Sequence, residues 1–232
     1  MGFRDCMSST NPILDPSPFT GSYHCLRMLR RVLETYLARA GKPGVLCVDF
    51  GCGQGPYRPL VEGVGMRYVG ADIAVVPNTD VELGADGRVA MADGAAGCVL
   101  STQVLEHVPD PKGYLDEAFR LLGPGGMLIL STHGHWNFHP TPTDYWRWTN
   151  PGLRKVVEES GFTVVDFEGV MGPLPTALQM VSNALQARIP RLVLPLFHWV
   201  WQNLVRLTDA MHRAPARDAD ACVFVLRAVK KG

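Results

Sequence analysis

Apolar residues recur along this chain with two different periods. From Tyr23 to Ala40, Leu26, Leu29, Leu33 and Leu37 fall three or four residues apart, with Arg27, Arg30, Arg31 and Glu34 between them. That spacing predicts an amphipathic helix, ended at Gly41. Short apolar runs then read as buried strands at Val45 to Phe50, Tyr68 to Ile73, Cys98 to Ser101 and Met127 to Thr132. Pro111 to Leu122 is a second helical pattern, with Pro111 in its first turn and Gly123-Pro124-Gly125-Gly126 as its stop. Pro151 to Ser160 predicts a third helix closed by Gly161, followed by strands Phe162 to Phe167 and Cys222 to Ala228. Strands alternating with helices imply an α/β fold, a parallel sheet covered on both faces.

Between the last two strands, Gly169 to Ala221 reads as an apolar helical insertion. Leu194, Phe197, Trp201, Leu204, Thr208 and Met211 form one stripe, widened by Val193, Leu196, Val200 and Leu207. This predicts a helix packed by that stripe on the rest of the domain. A lid, a dimer interface or a membrane-surface helix presenting Arg188, Arg191, Arg206 and Arg213 are its sharper readings, with membrane contact through 192–213 the minority one. Leu192 to Leu207 is too short and too interrupted, by Pro195, His198, Gln202, Asn203 and Arg206, to span a bilayer. Residues 1–22 form a Pro-rich arm and 23–232 one domain.

Composition narrows the partners. With 232 residues, 47% apolar, the chain affords one core. Lys+Arg and Asp+Glu number 22 each, and a net charge of zero argues against a nucleic-acid coat and for a small uncharged or mixed-charge ligand. The first twenty residues lack an apolar secretory core, and the six cysteines form no CxxC pair. Both point to a cytoplasmic protein with reduced thiols.

The strand at Val45 runs into Asp49-Phe50-Gly51-Cys52-Gly53-Gln54-Gly55, a glycine turn at the carboxyl end of a strand, where open α/β sheets bind ligands. The glycines admit positive φ and close backbone approach. The spacing is GxGxG rather than the GxGxxG of a dinucleotide site. Asp49 would repel a phosphate but suit an ammonium, such as the amino-acid moiety of S-adenosylmethionine (SAM). Asp72 ends the next strand about twenty residues on, where a carboxylate can accept both ribose hydroxyls. The commoner fate of a lone Asp is a cap or turn.

Together VDFGCGQG, YVGADI, STQVLEHVPDP and LLGPGGMLILST resemble the class I SAM-dependent methyltransferases, in particular a small methyltransferase-domain group with a Val-Leu-Glu-His segment. The resemblance covers roughly Val45 to Phe167. It implies a Rossmann-like seven-stranded sheet whose last strand is antiparallel, with helices on both faces and the helical insertion before that strand. It also implies SAM as cofactor, with Asp49, Gly51 and Gly53 at the methionine end, flanked by Cys52 and Gly55. Asp72 and Ile73 would lie at the ribose, Asp86 at the adenine, and Gln103 and Val104 near the sulfonium. Two departures stand out: Val89-Ala90-Met91 replaces the usual Leu-Pro-Phe, and Gly97 the usual Asp.

The stretch from Thr132 to Thr149 holds three histidines, one carboxylate, three tryptophans and a tyrosine. In this fold residues 133–150 form an active-site loop over the methyl group. Trp136, Asp144, Tyr145, Trp146 and Arg147 are the candidate substrate residues, since aromatic walls with few polar groups describe a small-ligand pocket. A structural alternative pairs Asp144 with Arg147 and makes Thr149 or Asn150 the N-cap of the next helix. His107, His133, His135 and His139 are the candidate bases, and Glu106 reads as a loop-fixing group. His133, His135, His139 and Asp144 could ligate a metal, but HxHxxxH is not a specific zinc spacing, and no metal is expected.

The expected activity is methyl transfer from SAM to a hydroxyl or amine of a small molecule, with a sugar or glycan precursor favoured. An NAD-dependent oxidoreductase of similar fold and a non-catalytic SAM-binding or partner-binding protein are the alternatives. A homodimer fits the apolar insertion.

Overall fold

The computed structural model describes residues 11–73, 79–140 and 142–231. Its sheet has seven strands: β1 (Leu46–Phe50), β2 (Arg67–Asp72), β3 (Val81–Glu82), β4 (Ala96–Thr102), β5 (Leu122–His133), β6 (Phe162–Val170) and β7 (Val223–Lys230). The order is β3-β2-β1-β4-β5-β7-β6. The first five run parallel, and β7 inserts antiparallel between β5 and β6, pairing Leu130 with Leu226 on one side and Phe167 with Leu226 on the other. This is the expected sheet.

Helices cover both faces: α1 (Tyr23–Ala40), α2 (Arg58–Gly63), α3 (Pro111–Leu121), α4 (Asn150–Glu159), α5 (Pro173–Leu185), α6 (Leu194–Asp209) and α7 (Ala214–Ala219). The central strands are apolar on both sides because both sides are covered. One face packs Cys47, Cys98, Leu100 and Val225 against Leu29, Leu33 and Leu37 of α1. The other packs Val48, Val99, Leu128 and Leu226 against Leu115, Ala118 and Leu121 of α3.

Two elements escape the apolar pattern. β3 is two residues long, held by pairing with Ala71 and Asp72, and α2 is a single short helix after Pro56. Thr149 is the N-cap of α4, its hydroxyl accepting from the Gly152 N–H at 3.2 Å. Gly97 proves structural: a Cβ there would meet Val45 Cγ1 at 2.5 Å.

The insertion corrects one expectation. α6 does not pack by its apolar stripe. Its inward residues are His198, Gln202, Val205 and Asp209, while Leu204 and Met211 of the expected stripe are exposed and Leu194, Phe197 and Trp201 only half-buried. The reason lies in what α6 covers. Residues 19–22 of the arm run irregularly beneath it, and their backbone needs partners. Gln202 and Gln179 both donate amide hydrogens to the Gly21 carbonyl, and Gln202 Oε1 accepts from the His24 N–H at 2.9 Å.

Candidate functional site

β1 leads to β2 on one side and β4 lies on its other side, so the sheet's direction of winding reverses between β1 and β4 and leaves a crevice at their carboxyl ends. Gly51, Gly53 and Gly55 stand at φ values of 79°, 52° and 63°, a region that side chains with a Cβ seldom enter. Gly51 is also sterically required: a Cβ would lie 2.6 Å from Val104 Cγ2, at the end of β4. The turn is pinned to β2, as the Ala71 carbonyl accepts from the Gly51 and Cys52 N–H groups and the Asp72 carboxylate accepts from the Gly53 N–H at 2.7 Å. Asp49, Gly51, Cys52, Gly53, Gly55, Asp72 and Val104 therefore share one crevice.

Asp49 is fully buried, and Tyr68 donates its hydroxyl to Asp49 Oδ2 at 2.8 Å. Asp49 Oδ1 has no partner among the described residues. Burial pushes this carboxyl up to about 7, against the Tyr68 hydrogen bond, and the charge of Asp72 adds to the rise. A cationic ligand group beside Oδ1 would satisfy it. Tyr68 was not among the sequence candidates, and the register of β1 and β2 is what brings it to Asp49. It shares a face of β2 with Gly70, the register partner of Asp49, and Gly70 has no side chain to block the phenol.

Gln103 follows β4 with φ of 56°, an unusual state for a residue with a side chain. Its Nε2 donates to Ser131 Oγ at 2.9 Å, while Oε1 is buried with no partner among the described residues. Ile73 is 72% exposed. Asp86 lies in a tight turn after β3, and its Oδ1 accepts from the Arg88 N–H at 3.1 Å.

Across the crevice, the loop after β5 folds back on the turn after β4. The Glu106 carbonyl accepts from the Tyr145 and Trp146 N–H groups, and the His133 carbonyl from Trp148 N–H. Glu106 is fully buried, and its Oε2 accepts from Thr132 Oγ1 at 2.8 Å. Glu106 Oε1 lies 3.5 Å from His133 Nε2. Burial pushes the Glu106 carboxyl up to about 7, against its hydrogen bonds, and drives His133 down to about 3, so that imidazole is neutral. The Trp136 indole stacks on His133 with ring centroids 5.3 Å apart.

Three of the four candidate histidines converge. His107 Nε2 and His139 Nε2 are 3.2 Å apart, and His133 meets His139 edge to face. His107 Nδ1–H donates to the Thr143 carbonyl at 3.1 Å, and burial lowers its basicity. His135 points elsewhere: its ring pairs with Asp220, and more than half of its side chain is exposed. Asp144 accepts both terminal nitrogens of Arg147, which hold its carboxyl down to about 2. Arg147 also donates to the carbonyls of Trp136 and Asn137. The pair therefore braces the loop, whereas Tyr145 and Trp146 lie on its outer surface, 51% and 39% exposed.

Two trios have donor atoms within 4.8 Å of one another, Glu106 with His133 and His139, and His107 with His139 and Asp144, so a cation could be held here, though not by His135. A cleft of about 480 Å³ opens beside His139, lined by Gly21, Ser22, Trp136, Asn137, Phe138 and Asn183 among others. A larger one, about 700 Å³, lies between the arm and α1 and contains none of these residues.

Fold and crevice define a class: a seven-stranded α/β domain with a phosphate-averse glycine turn, as in methyltransferases that use SAM. Residues 25–166 match the family model described as a methyltransferase domain. A relative from Mycolicibacterium smegmatis named "Probable S-adenosylmethionine-dependent methyltransferase" is 31% identical over 75% of this chain and 76% of its own. The chain belongs to the SAM-dependent methyltransferases, and SAM is its cofactor. A ubiquinone biosynthesis O-methyltransferase from Dinoroseobacter shibae is 31% identical over 56% of this chain and 65% of its own. In fold, the chain is similar to a Haemonchus contortus phosphoethanolamine N-methyltransferase solved with S-adenosylhomocysteine. The TM-score is 0.58 at 15% identity, over 95% of this chain and 59% of that one. It is also similar to a Burkholderia thailandensis 1,6-didemethyltoxoflavin-N1-methyltransferase, with TM-score 0.57 at 17% identity over 89% and 79%.

Proposed function

We propose that this chain methylates a hydroxyl of a small molecule, a sugar or glycan precursor being the favoured class, and that His107 and His139 together take up the hydroxyl proton. The 3.2 Å contact between their Nε2 atoms carries this reading. His107 Nδ1 meets the Thr143 carbonyl, and His139 Nδ1 meets the Asn137 carbonyl at 3.3 Å and Asp144 Oδ2 at 3.2 Å. All three of those partners are acceptors. With both rings neutral, one nitrogen must face an acceptor without a hydrogen. One added proton gives every ring nitrogen a partner. The pair is thus built to receive a proton, and the Asp144 carboxylate, held ionised by Arg147, stabilises the charge that results.

The cofactor supplies a methyl group already activated by its sulfonium sulfur. What the chain adds is position, exclusion of water and removal of the proton. Asp49 would bind the ammonium, the Gly51–Gly55 turn would receive the methionine end, and Asp72 the ribose. Gln103 and Val104 would form the floor, with Asp86 toward the adenine. Trp136 offers a platform for a ring. The reading uses His107 and His139 as proton carriers; in the trio they form with Asp144, Arg147 already holds both carboxylate oxygens. Relatives that are O-methyltransferases by name support an oxygen acceptor. Cys25, Cys47, Cys98 and Cys222 are buried thiols, which supports a reducing cytoplasm.

Release of S-adenosylhomocysteine over a panel of hydroxyl and amine acceptors tests this. Active hydroxyl acceptors are expected, with kcat falling about 100-fold or more in His107→Ala and in His139→Ala while SAM affinity holds. Turnover of amines alone, or unchanged kcat in both variants, would overturn it.

A further inference from the structure

The α5–α6 hairpin is turned inside out. On α6, Leu196, Val200 and Leu207 point outward at 60%, 54% and 62% exposure, and Trp199 and Met211 join them, while the inward side is mostly polar. α5 repeats the inversion, with Leu174, Val181 and Leu185 exposed and Thr176, Gln179 and Ser182 buried. Burial beneath the hairpin is thus assigned largely to polar groups that grip the arm, and apart from Val205, Leu178 and Trp201, which pack on the core, its large apolar side chains lie toward the outer side. Such a face on a soluble domain marks an interaction site.

We propose that this face docks on the surface of a bilayer with anionic headgroups, and, resting on the methyltransferase reading above, that the acceptor is an amphipathic molecule carried in that surface. Charge selects the occupant. From Pro173 to Thr208 the charged side chains are Arg188, Arg191 and Arg206, with no carboxylate. None of the three forms an ion pair among the described residues. Arg206 also borders the same cleft as Arg27, Arg30 and Arg31 of α1, where the two carboxylates, Asp15 and Glu34, both pair with Arg30. Cations flanking an apolar strip match the interface of an anionic membrane. A second copy of the chain, packed by two-fold symmetry on this face, would oppose arginine to arginine with no acid between them. Among the described residues no helix is long and apolar enough to cross a membrane, so α6, at 16 residues, would lie in the interfacial plane.

The hairpin also borders the site. Asn183 of α5 donates to Asn137 Oδ1 at 2.8 Å, and Phe138, 72% exposed, lines the cleft beside His139. A molecule half-embedded in the bilayer would reach that cleft from the edge of the apolar face.

Flotation of the full chain with vesicles, scored alongside SAM titration and light scattering, tests the proposal. A monomer is expected to float with phosphatidylglycerol-containing vesicles and not with phosphatidylcholine alone, with binding weakened by salt. Leu196→Ser/Leu207→Ser should lower the bound fraction about tenfold with SAM affinity unchanged, and Arg188→Glu/Arg191→Glu should remove the preference for the anionic lipid. A SAM-binding protein that does not float, or a dimer dispersed by the serine variant, overturns the docking surface. Flotation without methyl transfer to any acceptor keeps the surface and overturns the enzymatic reading instead.

Discussion

The hairpin interior and the crevice both bury polar groups, and they treat most of them oppositely. Under α5 and α6, His24 Nε2 meets Asp209 Oδ2 at 2.9 Å, Asp209 Oδ1 accepts from the Gly172 N–H, and Gln179 and Gln202 bond to each other and to the arm. In the crevice, Asp49 Oδ1, Gln103 Oε1 and His133 Nδ1 are buried with no hydrogen-bond partner among the described residues, and Glu106 Oε1 has only the 3.5 Å approach of His133 Nε2, whereas under the hairpin His198 Nε2 is the exception. Buried polar groups are nearly always bonded, because leaving one unpaired costs about 1–3 kcal/mol. Partnered groups therefore mark a structural joint. A cluster of unpartnered ones, as in the crevice, marks where a ligand completes the protein.

Removing a partner should separate the two regions by sign. Asp209→Ala strips His24, Gly172 and Arg217 of a shared carboxylate, and urea unfolding should show a loss of about 4 kcal/mol. Stability retained within 1 kcal/mol, roughly the scale of one ordinary hydrogen bond, would break the contrast. Asp49→Asn should do the reverse. Burial pushes the folded carboxyl up to about 7, against about 4 for an ordinary Asp in the unfolded chain, so the folded state holds the extra proton between those values. Stability therefore falls as pH rises from about 4 to about 7. The neutral amide removes that loss, a gain on the order of 4 kcal/mol above pH 7 and none near pH 4, together with loss of SAM binding. Denaturation at the two pH values, paired with calorimetry against SAM, checks both halves.

Smaller effects sharpen the joint. Gln202→Leu leaves the Gly21 carbonyl and the His24 N–H short of a partner and should cost about 2 kcal/mol, although it makes the buried side more apolar. Leu207→Ser, on the outer face, should change stability by no more than about 0.5 kcal/mol. Equal losses in the two variants would mean that the outer face is packed in solution.

Much of the sheet was legible because its central strands are covered on both sides, which writes continuous apolar runs into the chain. β3 left no such trace, since two residues held by the neighbouring strand need no pattern of their own. In the site, Asp49, Gly51 and Asp72 could be read from their place at strand ends. Tyr68 could not, as it reaches Asp49 only through the register of β1 and β2. Among the histidines, local sequence treats His133, His135 and His139 alike. Only the path of the loop sends His135 toward Asp220 and the other two toward His107.

By itself the sequence determined periodicity, the glycine turn with its two acids, and so the fold class, because these depend on neighbours a few residues apart. Which face of α6 lies inward, which histidines meet, and which buried carboxylates lack a partner were decided by tertiary structure. The first follows from the needs of distant backbone, foremost the Gly21 carbonyl beneath the hairpin, and the others from which strands and loops meet, and none of these exists until the chain has closed on itself.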